Sequence, residues 1–277
     1  MPFFSPLWAR RPTVAWLHHV HDTMWDMTLT PGLARLGRRV EFSVAPRVYR
    51  QTPIVTLSNS SKQELVNKLH LPREQITVVP PGIDASFSPG GERNANPTVL
   101  AVGRLVPVKR LHLLIDALVA MRPRISTLEA VIVGEGYERD ALERHVHEVG
   151  ADDWISLPGR VAEPQLIDLY RRAWVLASAS AHEGWGMTIT EAAACGTPSV
   201  ATRIAGHSDA IVHERTGLLV DDASQLGPAI ERVLTDDALR TTLASGALAY
   251  AHQFTWAATA RGTLEVLANE ALRRRRS

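Results

Sequence analysis

Between residues 98 and 220 the sequence alternates short apolar runs with stretches whose composition is typical of helices. Six runs have the length and residue types of buried strands, at 98–103, 128–134, 154–159, 174–180, 199–202 and 217–220. Strands that alternate with helices form parallel sheets with both faces covered. The pattern therefore predicts an α/β fold with a doubly wound parallel sheet, in which ligands bind beside the carboxyl ends of the strands.

A glycine-rich turn at 183–186 separates the fourth run from a short helical stretch at 187–195. Its glycines let a ligand approach the backbone where the first N–H groups of a helix are unpaired, so the turn is predicted to bind an anion. Glu183 precedes the helix, and Glu191 lies one turn beyond Met187 on the same face. Glutamates are usually solvated. Glu191 leads into alanines on an otherwise apolar helix, however, and we expect both carboxylates to face one ligand.

The turn after the first run, residues 103–109, carries Arg104 and Lys109. Taken alone, such cations near a helix start are usually surface charges. Here they belong to the same sheet edge as the 183–186 turn, where an arginine fork and a lysine point charge together suit a diphosphate. We therefore interpret them as a phosphate clamp that stabilises the charge of a departing phosphate.

The first part of the chain predicts a smaller parallel sheet. Its three strands are expected at 13–19, 53–58 and 76–79. One helix is predicted over 31–49, with three apolar residues facing inward, Leu33, Leu36 and Val40. A second helix ends at His70 and begins with a capping box made of Ser60, Ser61 and Glu64. Residues 80–97, rich in Pro, Gly, Asn and Ser, are interpreted as a hinge between two domains.

Composition excludes several classes of protein. The chain of 277 residues is 45% hydrophobic with a net charge of +1, so it can bury a core and gives no indication of a nucleic-acid partner. The single cysteine, Cys195, excludes an internal disulfide and is typical of a reducing compartment, which predicts a cytoplasmic protein. No run is long enough to span a membrane. The basic tail at 273–276 is of a kind that is usually solvated and that less often contacts an anionic membrane.

Five motifs follow one another in a characteristic order, Gly103-Arg104 with Lys109, Gly134-Glu-Gly136, Leu157-Pro-Gly159-Arg-Val161, Glu183-Gly-Trp-Gly to Glu191, and Gly196-Thr-Pro198. Together they resemble the GT-B glycosyltransferases of family 4, retaining enzymes that use nucleotide-sugar donors. The resemblance covers essentially the whole chain. It implies a GT-B type fold with two Rossmann-like, doubly wound parallel-sheet domains. The first, at 1–88, is incomplete and is completed by a crossover helix at 253–277, and the second, at 96–252, binds the donor.

The resemblance also implies roles for individual residues. Arg104 and Lys109 would grip the donor diphosphate, and Arg160 and Val161 would lie near the base. Glu191 would bind the ribose. The sugar would be held by two residues of the catalytic centre, Glu183 and His21, the histidine reaching it from the first domain. The backbone close to sugar and phosphate would come from Gly184, Trp185, Gly186, Met187 and Thr188.

Neither a metal nor a cofactor is expected, since the family is typically metal-independent. The three histidines within 18–21 lack convincing ligand spacing for a metal, and His18 and His19 are interpreted as ordinary loop residues. Two residues depart from the family pattern: Arg110 stands where glycine is usual, and Trp185 stands where phenylalanine is common. The glycine-rich unit and further strands with which family members open are missing as well, which predicts an amino-terminally truncated enzyme, unless a partner subunit completes the first domain.

Three functions are weighed. The first is transfer of a hexose from a nucleotide-diphosphate sugar to a saccharide or lipid-linked acceptor, as in the synthesis of cell-envelope polysaccharides. The alternative is a truncated nucleotide-sugar-binding protein with weak catalysis. A dinucleotide oxidoreductase is the third, because Gly134 and Gly136 follow a strand, but Arg139 occupies the third glycine position of that fingerprint. For transfer we expect electrostatics and positioning to matter more than acid–base chemistry.

Overall fold

In a computed structural model, the structure describes residues 4–22 and 24–276, and the chain divides into two units. The first unit comprises the described residues up to Gly82, the short segment Glu183–Trp185, and the residues from Phe254 onward. The second unit comprises Ile83–His182 and Gly186–Gln253. The sequence prediction placed the boundary between 88 and 96, whereas the units change at Gly82.

The sheet of the first unit has three parallel strands in the order β1-β2-β3. They are β1 (Ala15–Trp16), β2 (Ile54–Thr56) and β3 (Ile76–Val78). Ala15 pairs with Ile54, and Ile54 pairs with Ile76. The strand predicted over 13–19 is therefore only two residues long. A buried cluster that includes Leu17, Ile54, Leu65 and Leu69 forms the core beside this sheet.

Helices of the first unit follow one another closely before β2. They are α1 (Met24–Thr28), α2 (Pro31–Arg39), a wider π-helical turn (Val40–Val44) and α3 (Ala45–Val48). The prediction for the inward face of α2 is wrong, because Leu33 and Leu36 are 53% and 57% exposed while Ala34 is buried. Trp25 explains the difference: its ring would lie 2.8 Å from a Cβ on Gly37, so α2 turns its small residues inward.

Helix α4 (Asn59–Leu69) begins two residues earlier than the predicted cap. Ser58 is its N-cap and accepts a hydrogen bond from the Ser61 N–H at 3.0 Å. Ser58 lies two residues after the end of β2 in an extended conformation, which is the geometry an N-cap requires. The predicted capping box is therefore wrong, and Glu64 pairs with Lys68 on the next turn at 3.0 Å.

The last helix of the first unit, α12 (Trp256–Arg276), carries the basic tail. Two of its arginines, Arg273 and Arg274, pair with Glu270, a carboxylate that is only 1% exposed. Part of the tail charge is thus neutralised within the helix. Among residues 4–22 and 24–276, no helix is both long and apolar enough to cross a membrane.

The second unit contains a six-stranded, all-parallel sheet in the order β6-β5-β4-β7-β8-β9. Its strands are β4 (Thr98–Val102), β5 (Glu129–Val133), β6 (Ile155–Gly159), β7 (Val175–Ser178), β8 (Ser199–Thr202) and β9 (Gly217–Val220). All six lie within the predicted runs. The order steps outward from β4 in both directions, so the doubly wound parallel sheet is confirmed.

Helices cover both faces of this sheet. They are α5 (Leu111–Met121), α6 (Arg139–Glu148), α7 (Glu163–Arg172), α8 (Met187–Ala194), α9 (His207–Ala210), α10 (Leu226–Thr235) and α11 (Asp237–Ala251). The predicted apolar face of α5 is confirmed, since Leu114, Ile115 and Leu118 are fully buried in the main core. Local helical periodicity was sufficient to find it.

The predicted hinge is shorter than its composition suggests, because residues from Ile83 onward are tied to the second unit. Arg93 donates to the carbonyl oxygen of Gly196 at 2.6 Å and also to that of Ala173. The indole N–H of Trp174 donates to the Asn94 carbonyl at 2.8 Å. These side-chain hydrogen bonds attach the later part of the predicted hinge to the second unit.

Candidate functional site

Two loops at the carboxyl edge of the second sheet lie directly on one another. A Cβ on Gly134 would come within 1.7 Å of the Gly103 carbonyl oxygen, and a Cβ on Gly136 within 2.1 Å of the Leu105 carbonyl oxygen. No side chain fits at either position. The two glycines after β5 therefore allow the loop after β4 to pack closely, which accounts for them without a dinucleotide.

A cavity of about 710 Å³ opens beside these loops and is lined only by residues of the second unit. It brings together four of the residues predicted from the sequence, Arg104, Arg160, Val161 and Glu191. Two further carboxylates, Glu135 and Glu163, and the apolar side chains of Phe87 and Leu166 also line it. Its volume is within the range of small-molecule sites.

Lys109 lies at the same turn as Arg104. It ends a short 3₁₀ turn, Pro107–Lys109, and its side chain folds back over Gly103. A Cβ on Gly103 would lie 3.2 Å from Lys109 Cε and 3.4 Å from Nζ. The geometry thus places two cationic side chains at the turn that follows β4, as a phosphate clamp requires.

Arg110 adopts a left-handed conformation with φ of 48° and ψ of 41°. This conformation favours glycine, which explains why glycine is usual here in the family that the sequence resembles. Arg110 is held by two hydrogen bonds, from Nε to the Ala179 carbonyl at 2.7 Å and from Nη2 to the Ser180 carbonyl at 2.9 Å. The side chain ties the start of α5 to the end of β7.

Glu191 is half-buried on α8, and Tyr170 holds it in place. The Tyr170 hydroxyl donates to Glu191 Oε2 at 2.8 Å, and Tyr170 itself is fully buried. Burial raises the pKa of Glu191, and the Tyr170 hydrogen bond opposes the rise only in part. Glu191 is therefore not an exposed helix residue, and it lines the cavity.

Helix α8 begins at Met187, directly after Gly186. The Gly186 carbonyl accepts hydrogen bonds from the N–H groups of Ile189 and Thr190, at 3.0 and 3.1 Å. The N–H groups of Met187 and Thr188 belong to the first turn, where a helix offers no internal acceptor. The positive end of the helix dipole adds to their attraction for an anion.

The segment Glu183–Trp185 belongs to the first unit, although it interrupts the second unit in the sequence. The hydroxyl groups of Ser58 and Ser61 both donate to the Gly184 carbonyl oxygen, at 3.1 and 3.2 Å. A Cβ on Gly184 would come within 2.5 Å of the His18 carbonyl oxygen. Glycine at this position thus permits close packing inside the first unit. That Glu183 and Glu191 face one ligand stays a prediction, because they belong to different units.

Trp185 is 4% exposed and packs edge-on against Phe254, with ring centroids 5.1 Å apart. Its indole N–H has no hydrogen-bond partner among the described residues. A phenylalanine would fill much of the same space without a buried polar group, so the unpaired indole N–H is a cost that the tryptophan carries at this position.

His21 lies in the loop after β1 and is bonded to a buried carboxylate. Its ring Nδ1 is 3.0 Å from Glu41 Oε1, and its backbone N–H donates to the same oxygen at 2.9 Å. The ring stacks on Trp25, with centroids 4.8 Å apart. No group of three or more His, Cys, Asp and Glu in the described part of the chain is arranged to hold a metal ion.

Comparison with known proteins decides the family. The family model for glycosyl transferases group 1 matches residues 83–249. The chain belongs to this family. A second model, glycosyltransferase family 4, matches residues 1–87, so the resemblance recognised in the sequence is confirmed.

Curated relatives of this chain include two proteins named D-inositol 3-phosphate glycosyltransferase. That of Pseudarthrobacter chlorophenolicus is 33% identical over 279 residues, which cover 94% of this chain and 66% of the relative. The protein of Acidothermus cellulolyticus is 34% identical over 262 residues, covering 87% of this chain and 58% of the relative. The chain thus spans less than two thirds of the length of these relatives.

Solved structures of similar fold include Anabaena HepE in complex with UDP-glucose and the sucrose-phosphate synthase of Thermosynechococcus elongatus. The HepE structure has a TM-score of 0.79 at 24% identity, and the matched region covers 96% of this chain and 74% of the HepE chain. The synthase has a TM-score of 0.79 at 23% identity and covers 92% of this chain and 67% of its own. These likenesses establish the GT-B type fold for this chain.

The structure also reveals residues that the sequence analysis missed. Tyr170, Glu41, Ser58 and Glu135 each hold a predicted site residue or its backbone, and Glu135 does so by accepting the Arg160 N–H at 3.2 Å. A tyrosine on the apolar face of a helix was the one available signal, because a buried hydroxyl needs a hydrogen-bond partner. All four lie at least 20 residues in sequence from what they hold, and the other three carry no comparable local signal.

Proposed function

We propose that this glycosyl transferase binds a nucleotide-diphosphate hexose and transfers the hexose, with retained anomeric configuration, to a saccharide or lipid-linked acceptor. One observation carries the proposal. The cavity of the second unit joins cationic side chains to a half-buried carboxylate, Glu191, that a buried tyrosine holds in place. A diphosphate needs the cations, and a ribose hydroxyl needs a fixed acceptor.

The diphosphate is held from two directions within the second unit. Arg104 offers a fork of donors and Lys109 a point charge, and the first N–H groups of α8 offer uncharged donors. As the bond between sugar and phosphate breaks, negative charge grows on the departing diphosphate. Donors already fixed in place stabilise that charge without rearranging, which is where we expect most of the rate enhancement to arise.

The nucleoside half of the donor is assigned to the other side of the cavity. Arg160 and Val161 lie near the base, and Glu191 accepts hydrogen bonds from the ribose. Burial removes water from the Glu191 carboxylate and thereby raises its pKa. A ligand hydroxyl that donates a hydrogen bond to the carboxylate replaces part of that lost hydration.

The sugar half is assigned to Glu183 and His21. Both offer hydrogen-bond partners to hydroxyl groups, and neither is assigned as a nucleophile. Charge stabilisation and positioning then carry the reaction, in contrast to glycosidases, in which a pair of carboxylates protonates and attacks.

UDP-glucose is the first donor to test, since solved HepE structures contain UDP and UDP-glucose. Three classes of acceptor should be tested: saccharides, lipid-linked sugars and a polar cyclic polyol. The polyol is included because curated relatives are named for D-inositol 3-phosphate. The proposal includes no metal and no cofactor, so EDTA should leave nucleotide binding unchanged. A loss of binding in EDTA that Mg²⁺ restores would contradict this part of the proposal.

Calorimetry with UDP, GDP and their sugars tests the proposed site. Arg104→Ala and Lys109→Ala should each weaken nucleoside-diphosphate binding by about 10- to 150-fold, because each removes a charge-assisted contact of roughly 1.5 to 3 kcal/mol. Arg232→Ala is the matched control, since this arginine pairs with Glu214 on the surface of the second unit. Unchanged affinity in both site variants would refute the clamp.

Glu183→Gln and Glu191→Gln separate the two halves of the donor. The first should lower affinity for the nucleotide sugar while leaving that for the bare diphosphate nearly unchanged. The second should weaken both. Equal losses for the two ligands in both variants would show that the roles are misassigned.

The alternative function is nucleotide-sugar binding with weak catalysis. It predicts tight binding of the donor without release of free UDP when acceptors are added. Chromatographic detection of UDP in the same samples distinguishes it from transfer.

We further propose a cytoplasmic protein with peripheral contact to anionic membranes. The first unit carries 15 Lys and Arg against 8 Asp and Glu, a net charge of +7, and Leu33 and Leu36 of α2 are exposed beside arginines. Co-sedimentation with phosphatidylglycerol vesicles should exceed that with phosphatidylcholine vesicles and should fall in high salt. Equal sedimentation with both would argue against the contact.

A further inference from the structure

Glu41 is a carboxylate that is only 3% exposed and that no lysine or arginine neutralises among its described contacts. A buried carboxylate is costly unless hydrogen bonds replace its hydration. Three N–H groups and one ring nitrogen, from His21, Asp22 and Trp25, lie within hydrogen-bond distance of it. They are the backbone N–H of His21, the ring Nδ1 of His21, the backbone N–H of Asp22 and the indole Nε1 of Trp25, at 2.9, 3.0, 3.4 and 2.8 Å.

These contacts bear on the ring of His21 in particular. Glu41 Oε1 receives both the backbone N–H and Nδ1 of the same residue, so one oxygen orients the loop and the ring together. Burial alone would raise the pKa of Glu41, but the hydrogen bonds from His21 and Trp25 outweigh it and lower the pKa to about 2. Glu41 is therefore ionised at neutral pH and can only accept. Nδ1 must then carry the proton, which leaves Nε2 as the other ring nitrogen for a ligand.

Backbone geometry on both sides supports a role beyond packing. Glu41 lies in the π-helical turn Val40–Val44, a rare geometry that is often found at functional sites. Asp22 adopts φ of 41°, a strained conformation for a residue with a side chain. Lys68 holds the Asp22 carboxylate at 3.2 Å while Glu41 accepts the Asp22 N–H. Strain held in this way fixes one loop conformation before a ligand arrives.

We propose that Glu41 is the positioning residue of His21, and that it presents Nε2 as a hydrogen-bond acceptor to a hydroxyl group of the donor sugar. This rests on the proposed function, in which His21 contacts that sugar. Neutral imidazole with Nδ1 protonated can accept a hydrogen bond from a sugar hydroxyl at Nε2. The opposite tautomer would present an N–H there, so the same hydroxyl would have to accept a hydrogen bond instead of donating one.

Nitrogen NMR of the unmodified protein tests the tautomer without any substitution. With ¹⁵N-labelled histidine, the His21 ring should show the Nδ1–H form in the neutral state, assigned by loss of its signals in His21→Gln. The Glu41→Gln variant should shift the ring toward the Nε2–H form, and Glu74→Gln, a change at an exposed glutamate of the same unit, should not. An Nε2–H ring in the parent protein overturns the inference.

Calorimetry then tests whether positioning matters for the sugar. Glu41→Gln should weaken binding of the nucleotide sugar by about tenfold and leave that of UDP unchanged. The double variant Glu41→Gln/His21→Ala should bind no more weakly than His21→Ala alone, because Glu41 acts through His21. Additive losses would contradict the inference. If the Glu41→Gln protein does not fold, Glu41→Asp takes its place.

Failure of the proposed function gives a different result. If the parent protein binds UDP and UDP-sugars no more tightly than it binds adenosine, the proposed function is wrong. The tautomer experiment still tests the pairing of Glu41 and His21 in that case. If the parent binds the sugar nucleotide and the tautomer is Nε2–H, the function stands and this inference is wrong.

Discussion

The two units differ in how they keep their sheets covered. The second unit has a six-stranded sheet with helices on both faces and a net charge of −6, from 15 Lys and Arg against 21 Asp and Glu. The first unit has three short strands and a net charge of +7. Among the described residues, all exposed large apolar side chains except Tyr137 lie in the first unit.

The two units obtain their stability from different kinds of contact. Apolar burial dominates the second unit, because its strands and helices enclose one continuous cluster of aliphatic side chains. The first unit depends more on buried carboxylates, Glu41 and Glu270, whose charges are satisfied by a few specific donors. Such contacts are directional and sensitive to pH, whereas apolar burial is neither.

The largest expected effect is in the aliphatic core. Leu118→Ala in the second unit should lower the free energy of unfolding by about 2 to 5 kcal/mol, because it removes a fully buried side chain and leaves a cavity. Leu36→Ala in the first unit should change it by less than about 0.5 kcal/mol, since Leu36 is 57% exposed. Urea unfolding monitored by circular dichroism measures both. Similar losses of unfolding free energy in the two variants would contradict this difference between the units.

The second largest effect is expected from the pH dependence of stability, which should have opposite signs for one carboxylate of each unit. The pKa of Glu41 is lowered to about 2 from 4.5, so its contribution is complete above pH 4.5 and is lost as the pH falls toward 2, by about 3 kcal/mol. The pKa of Glu191 is raised by burial, so its ionisation has the opposite sign and lowers stability as the pH rises above 4.5.

Unfolding curves between pH 2 and 7 test this pair of carboxylates. The stability difference between parent and Glu41→Gln should grow with pH and level off above 4.5. The difference between parent and Glu191→Gln should shrink over its own titration range. Curves of the same sign for both variants would show that one of the two environments is misjudged.

A smaller effect is expected from Tyr170→Phe in the second unit. The variant removes the hydroxyl that donates to Glu191 at 2.8 Å and should cost about 1 to 3 kcal/mol of stability. It should also weaken UDP binding, because Glu191 loses its fixed orientation. Calorimetry and thermal unfolding of the same sample measure the two effects. A stability loss with unchanged UDP affinity would show that Glu191 is not part of the UDP-binding site.

The smallest effect is expected at Trp185 in the first unit. Trp185→Phe removes an indole N–H that has no partner among the described residues, but it also leaves some space beside Phe254. The two effects oppose one another, so the net change should stay within about 1 kcal/mol. A loss of several kcal/mol by thermal unfolding would mean that the indole N–H makes a contact that matters.

Sequence reasoning was most accurate where structure depends on neighbours along the chain. The six strands of the second sheet and the buried face of α5 follow from apolar periodicity, which a short window contains. The turns of the candidate site could be placed at the carboxyl edge because parallel strands all end there. Arg104, Arg160, Val161 and Glu191 line one cavity as a consequence of that topology.

Tertiary structure decided what local pattern leaves open. Leu33 and Leu36 fit an inward face as well as Ala34 does, and only the ring of Trp25 against Gly37 determines which face is buried. Ser58 holds the carbonyl of Gly184, which is 126 residues away. Contacts of this kind have no sequence period, because they depend on which loops the folded sheet brings together.

By itself, then, the sequence determined the α/β class, the positions of the six strands of the second unit and the family, since each follows from periodicity or from motifs with local spacing. Only the tertiary structure revealed the partners that hold the functional side chains, Glu41 for His21 and Tyr170 for Glu191. The physical reason is that a buried polar group must find its partner wherever the fold supplies one, and that partner is 20 or 21 residues away in these two pairs.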